Sequence, residues 1–115
     1  MKLIANQAEL ETLAAEVQNG TIVVKFFADW CGPCKVMNPV YENLSIDENV
    51  KKVDAFVEIN RDDNMDMIES QEFDFMSIPR FFVVNIRDGK IAEKKDMGGS
   101  QTKDSLVEQI NEFVK

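Results

Sequence analysis

The chain has 115 residues, 44% apolar and 30% charged, a single-domain length and a globular balance that exclude disordered and collagen-like architectures. Thirteen Lys and Arg stand against 21 Asp and Glu, a formal charge of −8, which is the wrong sign for a nucleic-acid or anionic-membrane footprint. The absence of histidine removes Ser–His and Cys–His catalysis and histidine-ligated metal from consideration. No apolar run reaches the roughly 18–20 residues of a membrane span. The apolar Leu3-Ile4 start is too short for a signal peptide, so a cytoplasmic protein is expected.

Short elements follow one another without repeats or linkers. After Leu3-Ile4, a short strand, Asn6 and Glu9 form a capping-box-like start. Leu10, Leu13, Ala14 and Val17 then recur on one face of a helix ending near Asn19-Gly20. Thr21 to Ala28 is β-branched and aromatic, apolar on both faces except at Lys25, and reads as a central strand. A second helix is expected from Pro33, with Val36, Met37, Val40, Tyr41 and Leu44 inward and a kink at Pro39. Val53 to Ile59 is strand-like, and Asn64 to Gln71 a weaker helix with Met65 and Ile68 inward.

Pro79 opens a strand from Arg80 to Arg87, which turns at Asp88-Gly89 and returns antiparallel over Lys90 to Met97. Gly98-Gly99 ends that strand, and Leu106, Val107, Ile110, Phe113 and Val114 mark a terminal amphipathic helix. The order β-α-β-α-β-α-β-β-α implies a mixed sheet covered on both faces.

Both cysteines lie in Trp30-Cys31-Gly32-Pro33-Cys34-Lys35. A bridge between them closes a loop too short to remove much unfolded-chain entropy, so the pair reads as chemistry rather than as a staple. The bland alternatives are inert thiols or half of a zinc site. Zinc would require carboxylates or a second copy of the chain to complete its ligand set, and no metal is expected. A strand, a loop and a helix starting near Pro33 put Cys31 at a helix N-terminus, where unpaired amides favour a thiolate. Cys34 falls about one turn further in, less exposed and suited to resolving a mixed disulfide.

The Trp-Cys-Gly-Pro-Cys-Lys motif at residues 30–35, Pro39 in the following helix, Ile78-Pro79 before the fourth strand and Gly98 after the fifth resemble the thioredoxin family along the whole chain. The resemblance implies an α/β thioredoxin fold over residues 1–115, a central mixed five-stranded sheet flanked by four helices. It implies a protein-disulfide reductase with Cys31 as nucleophile and Cys34 as resolving thiol. The Ile78–Pro79 bond is cis in that family. Trp30, Gly32, Pro33, Ile78, Pro79 and Gly98 would form an apolar rim that receives a substrate strand. The partners implied are disulfide-containing proteins and a thioredoxin reductase. The protein is expected to be a monomer with no cofactor beyond the redox-active Cys31–Cys34 disulfide.

An oxidase or isomerase is disfavoured because the oxidising relatives place a histidine between the cysteines. A binding subunit with dispensable thiols is the alternative of another class. Two positions depart from the family pattern. Lys25 stands where a buried Asp is usual, and Arg80 follows the proline where a small polar residue is usual. A lone buried lysine is costly. Lys25 is therefore expected to pair with Glu58 beneath the dithiol, one of the two handling the proton of Cys34. Arg80 is expected to bring a cation to the substrate groove.

Overall fold

The structure, a computed structural model, describes residues 2–70 and 73–114. Its elements are β1 (Lys2–Ile4), α1 (Gln7–Val17), β2 (Gly20–Phe27), α2 (Gly32–Val36), α3 (Asn38–Ser45), β3 (Ala55–Asn60), α4 (Met65–Ser70), β4 (Arg80–Arg87), β5 (Lys90–Gly98) and α5 (Lys103–Phe113). They form one five-stranded sheet in the order β1-β3-β2-β4-β5. β3 runs parallel to both β1 and β2, whereas β4 is antiparallel to β2 and to β5. This is the expected mixed thioredoxin sheet with four helices, the second of them divided into α2 and α3. The expected end of α4 at Gln71 lies outside the described residues.

Local chemistry accounts for the boundaries. The Asn6 side chain accepts from the Glu9 amide at 3.0 Å, opening α1, and Glu9 reaches back to the Ala5 amide at 3.4 Å. Asp88 and Gly89 both take positive φ, 54° and 76°, the geometry that turns a two-residue hairpin with the sheet's own twist. Pro39 has no amide to offer the Lys35 carbonyl, one turn back. The Met37 amide closes α2 by donating to Pro33 O at 3.1 Å, and α3 restarts with Tyr41 N bonded to Met37 O at 2.9 Å.

The sheet is buried on both faces. Ile22, Val24 and Phe26 of β2 pack with Leu10, Leu13, Ile68 and Phe82 on the α1 and α4 side. Val23, on the opposite face, joins Met37, Tyr41, Leu44, Phe81, Leu106 and Ile110. Strand alternation puts Lys25 in phase with Val23, beneath α3. The parallel register sets Glu58 of β3 directly beside it.

Two inward assignments fail. Val36 is exposed, because the buried face runs through Cys34, Met37, Tyr41 and Leu44 and Val36 falls off it at about 100° per residue. Met65 is half-exposed and Met67 takes the buried position, since a helix of six residues carries too little periodicity to define a face.

Tyr41 is fully buried, its hydroxyl 3.0 Å from Val23 O and 2.8 Å from Val57 O, so it ties α3 to adjacent strands. Tyr41→Phe should lower unfolding free energy by about 1–3 kcal/mol, the cost of a buried group left unpaired. Urea denaturation of the oxidised protein measures this, and an unchanged midpoint would show that the hydroxyl contributes nothing.

Candidate active site

Cys31 and Cys34 are joined in a disulfide, with Cα atoms 5.3 Å apart. Cys31 is the N-cap of α2, and its sulfur accepts from the Cys34 amide at 3.2 Å. With α2 only five residues long, this directed amide, rather than a long helix dipole, is the donor that favours a thiolate at Cys31. Each cysteine is 2% exposed, so in the disulfide form the expected difference in exposure is absent. Ala28 and both cysteines form one small apolar cluster, against which Phe27 and Ile78 pack.

The remaining rim residues surround this cluster from three directions. Gly32 and Pro33 open α2 on the exposed side. The Ile78–Pro79 bond is cis, and Gly98 (φ 95°) pairs with Phe81 at the end of β5. A Cβ on the next residue, Gly99, would stand 3.1 Å from the Pro79 carbonyl, so the two segments approach closely. Trp30 is 66% exposed, and its indole N–H donates to Asp62 at 2.7 Å, while the Arg61 guanidinium lies 5.3 Å from its ring centre. These contacts hold an exposed aromatic in place. The Trp30 hydrogen bond, followed by that of Arg61, keeps the Asp62 carboxyl below the usual carboxylate range.

Arg80 brings no free cation to the groove. It is forked onto Asp96 through Nε–Oδ1 and Nη2–Oδ2 contacts of 2.8 Å, and Asp96 Oδ1 also accepts from Gly98 N at 2.8 Å.

Lys25 lies beneath the dithiol at 1% exposure. Its Nζ donates to the Cys34 carbonyl at 3.0 Å and to Asn38 Oδ1. Glu58 Oε1 stands 3.9 Å away, with a side chain 25% exposed. The Tyr41 ring centre is 5.8 Å from the ammonium. The expected Lys25–Glu58 ion pair is therefore present, but the nearer partners are Cys34 and Asn38. A cleft of about 320 Å³ opens over this group, lined by Ala28, Asp29, Cys34, Asn38 and Glu58 among others. Burial pulls the Lys25 ammonium below its ordinary value of 10.5, while the carboxylates of Glu58 and Glu42 pull it back up.

Asn38, Asp62 and Asp96 escaped the sequence reading. The one usable signal belonged to Asn38, four residues after Cys34 and thus on the same helix face if the helix continued.

A disulfide-bonded Cys-x-x-Cys at the start of a helix, on a mixed β1-β3-β2-β4-β5 sheet and beside a cis proline, defines a thioredoxin-fold dithiol oxidoreductase. The Thioredoxin family model matches residues 3–112. Thioredoxin of Mycoplasmoides gallisepticum is 40% identical over 95 residues, covering 83% of this chain and 86% of that one. Thioredoxin of Bacillus subtilis is 32% identical over 104 residues, covering 90% and 92%. Among solved structures, Fasciola hepatica thioredoxin superposes with a TM-score of 0.71 at 31% identity, covering 97% of this chain and 98% of that one. The chain belongs to the thioredoxin family. It is a thiol–disulfide oxidoreductase of the protein-disulfide reductase type.

The lowered Lys25 pKa has a definite consequence for stability. Between its folded pKa and 10.5 the folded state binds fewer protons than the unfolded state, so stability rises with pH across that window. Each unit of depression contributes about 1.4 kcal/mol at its upper end. Urea denaturation of oxidised wild type and Lys25→Met from pH 7 to pH 10 should show wild type gaining on the variant as pH rises. A difference independent of pH would mean that Lys25 titrates as a solvated lysine.

Proposed function

We propose that the protein reduces disulfides in other proteins by a two-thiol relay and is restored by a thioredoxin reductase, working as a cytoplasmic monomer. The observation that carries this reading is the bonded Cys31–Cys34 pair packed against Ile78, immediately before cis Pro79. In the reduced form the Cys31 thiolate attacks a substrate disulfide. A mixed disulfide forms, and the first substrate sulfur leaves as a thiolate that takes a proton from water. Cys34 then loses its proton and its sulfur attacks Cys31 Sγ. The intramolecular disulfide forms, the mixed disulfide breaks, and the second substrate thiolate departs.

Each half of the site has a part in this relay. The Cys34 amide on Cys31 Sγ supports Cys31 as the attacking thiol. Lys25, bound to the Cys34 carbonyl, handles the proton of the resolving thiol, and Glu58 supplies the countercharge. Trp30, Gly32, Pro33, Ile78, Pro79 and Gly98 receive the substrate strand. The exposed, pinned Trp30 and the approach of Gly99 to Pro79 support that surface as preformed.

Dithiothreitol-driven reduction of insulin tests the relay. Wild type should turn over, Cys31→Ser should be inactive, and Cys34→Ser should stall as a covalent adduct on Cys31. Turnover surviving in Cys31→Ser, or no turnover in wild type, would overturn the proposal.

A further inference from the structure

The acceptors and donors around Lys25 differ in kind. A protonated lysine presents three N–H donors and no acceptor, whereas the neutral amine keeps two N–H donors and offers one lone pair. The Cys34 carbonyl, 3.0 Å from Nζ, accepts and cannot donate. The Glu58 carboxylate, 3.9 Å away, likewise only accepts when ionised. The third polar partner, Asn38, is of another kind, because its side-chain amide carries an acceptor oxygen on one side and an N–H₂ donor on the other. Asn38 is exposed at the α2–α3 joint and lines the same cleft as Cys34 and Glu58, so its amide has room to turn over.

We infer that Asn38 is a positioning residue for proton transfer at Cys34. Its amide oxygen holds Lys25 as an ammonium, and its amide nitrogen, after a half-turn, holds Lys25 as an amine. This rests on the reading of Lys25 as the group that takes the Cys34 proton.

As the mixed disulfide resolves, the Cys34 S–H bond breaks and the proton passes to the Lys25 lone pair, directly or through one water in the cleft. The freed sulfur forms the bond to Cys31 Sγ, and the electron pair of the broken mixed disulfide leaves on the substrate thiolate. The new ammonium is received by Asn38 Oδ1 and the Cys34 carbonyl, the partners it has in the disulfide form. Its proton then passes to the departing thiolate or to solvent.

The charged and titratable groups around Lys25 are Glu58 from β3, Glu42 and Tyr41 from α3 and Cys34 from α2, and Asp29 and Lys35 line the same cleft. Phe81, its partner on β4, carries no titratable group. The Tyr41 phenol is raised well above its ordinary range by burial and stays neutral. The carbonyl and carboxylate neighbours can only accept, whereas the side-chain amide of Asn38 can accept from the ammonium and, turned over, donate to the lone pair of the amine.

Asn38→Asp separates the two halves of this role. It is nearly isosteric at an exposed position, retains the acceptor and replaces the donor with a charge that locks Lys25 as an ammonium. The reduced protein is mixed with increasing oxidised glutathione under single-turnover conditions. Trp30 fluorescence and acid-quenched thiol counts follow the reaction. Attack by Cys31 is the concentration-dependent phase, and resolution by Cys34 is the concentration-independent one. Asn38→Asp should slow resolution about tenfold at pH 7 and move its pH midpoint up by about one unit, the two being equivalent. Its attack phase should change far less.

Asn38→Ala should fall between wild type and Asn38→Asp. Lys35, which lines the same cleft, makes no hydrogen bond to Lys25, so Lys35→Gln lowers the charge there by one unit and should move both phases together. Thermal unfolding confirms that each variant is folded. If Lys25→Met alters the pH dependence of resolution while Asn38→Asp overlays wild type, the role of Asn38 is wrong and that of Lys25 stands. If Lys25→Met also overlays wild type, both are wrong.

Discussion

An ammonium group with 1% exposure has surrendered its water, and the protein around it must supply what water did. Lys25 meets this requirement with a peptide carbonyl from Cys34, a side-chain amide from Asn38, a carboxylate from Glu58 and the face of Tyr41. These partners come from β3 and from both halves of the broken helix, so the buried cation couples the redox loop to the sheet. The dithiol consequently sits above a positive centre whose charge responds to its surroundings. In the family pattern that place is held by a buried acid. The inversion of sign leaves the fold intact.

The break at Pro39 is what makes this arrangement possible. It ends α2 after a single turn, with Cys31 as cap and Cys34 buried, and the chain restarts as α3 with Met37, Tyr41 and Leu44 carrying the buried face onward. Asn38 at the joint reaches Lys25, while Tyr41, one turn on, spans the carbonyls of Val23 and Val57 beneath. The rigid lower half, β2, β3 and Tyr41, thus carries a short upper turn on which the chemistry is mounted. Outside it, the Arg80–Asp96 fork and the Asp62–Trp30 bond fix two parts of the rim through contacts made by side chains at its edge.

Much of this was legible in the residues. Apolar, β-branched runs bounded by turn signals identified the strands, 3.6-residue patterns identified the two long helices, and Pro39 announced the kink. Lys25 was recognisable as anomalous because it is the single charge in an otherwise apolar central strand, and the register then brought Glu58 to it. What escaped depends on phase and register that no local pattern encodes. Val36 was misassigned because its apolar character was taken for an inward position although it falls off the stripe of Cys34, Met37, Tyr41 and Leu44, and Met65 because α4 is too short to define a face. Asp96 meets Arg80 only because a register shift between Phe81 and Phe82 sets how β5 lies on β4. Asp62 reaches Trp30 across 32 positions of sequence. The role of Arg80 changed accordingly, from a free cation to half of an ion pair.

The most direct test of the central claim is the titration of Lys25 itself, read from its side-chain Cε and Nζ resonances in the oxidised protein. A midpoint below the ordinary 10.5, falling further in Glu58→Gln as the supporting carboxylate is removed, is the expected result. A midpoint at or above 10.5 that is indifferent to Glu58 would contradict a desolvated lysine beneath the dithiol.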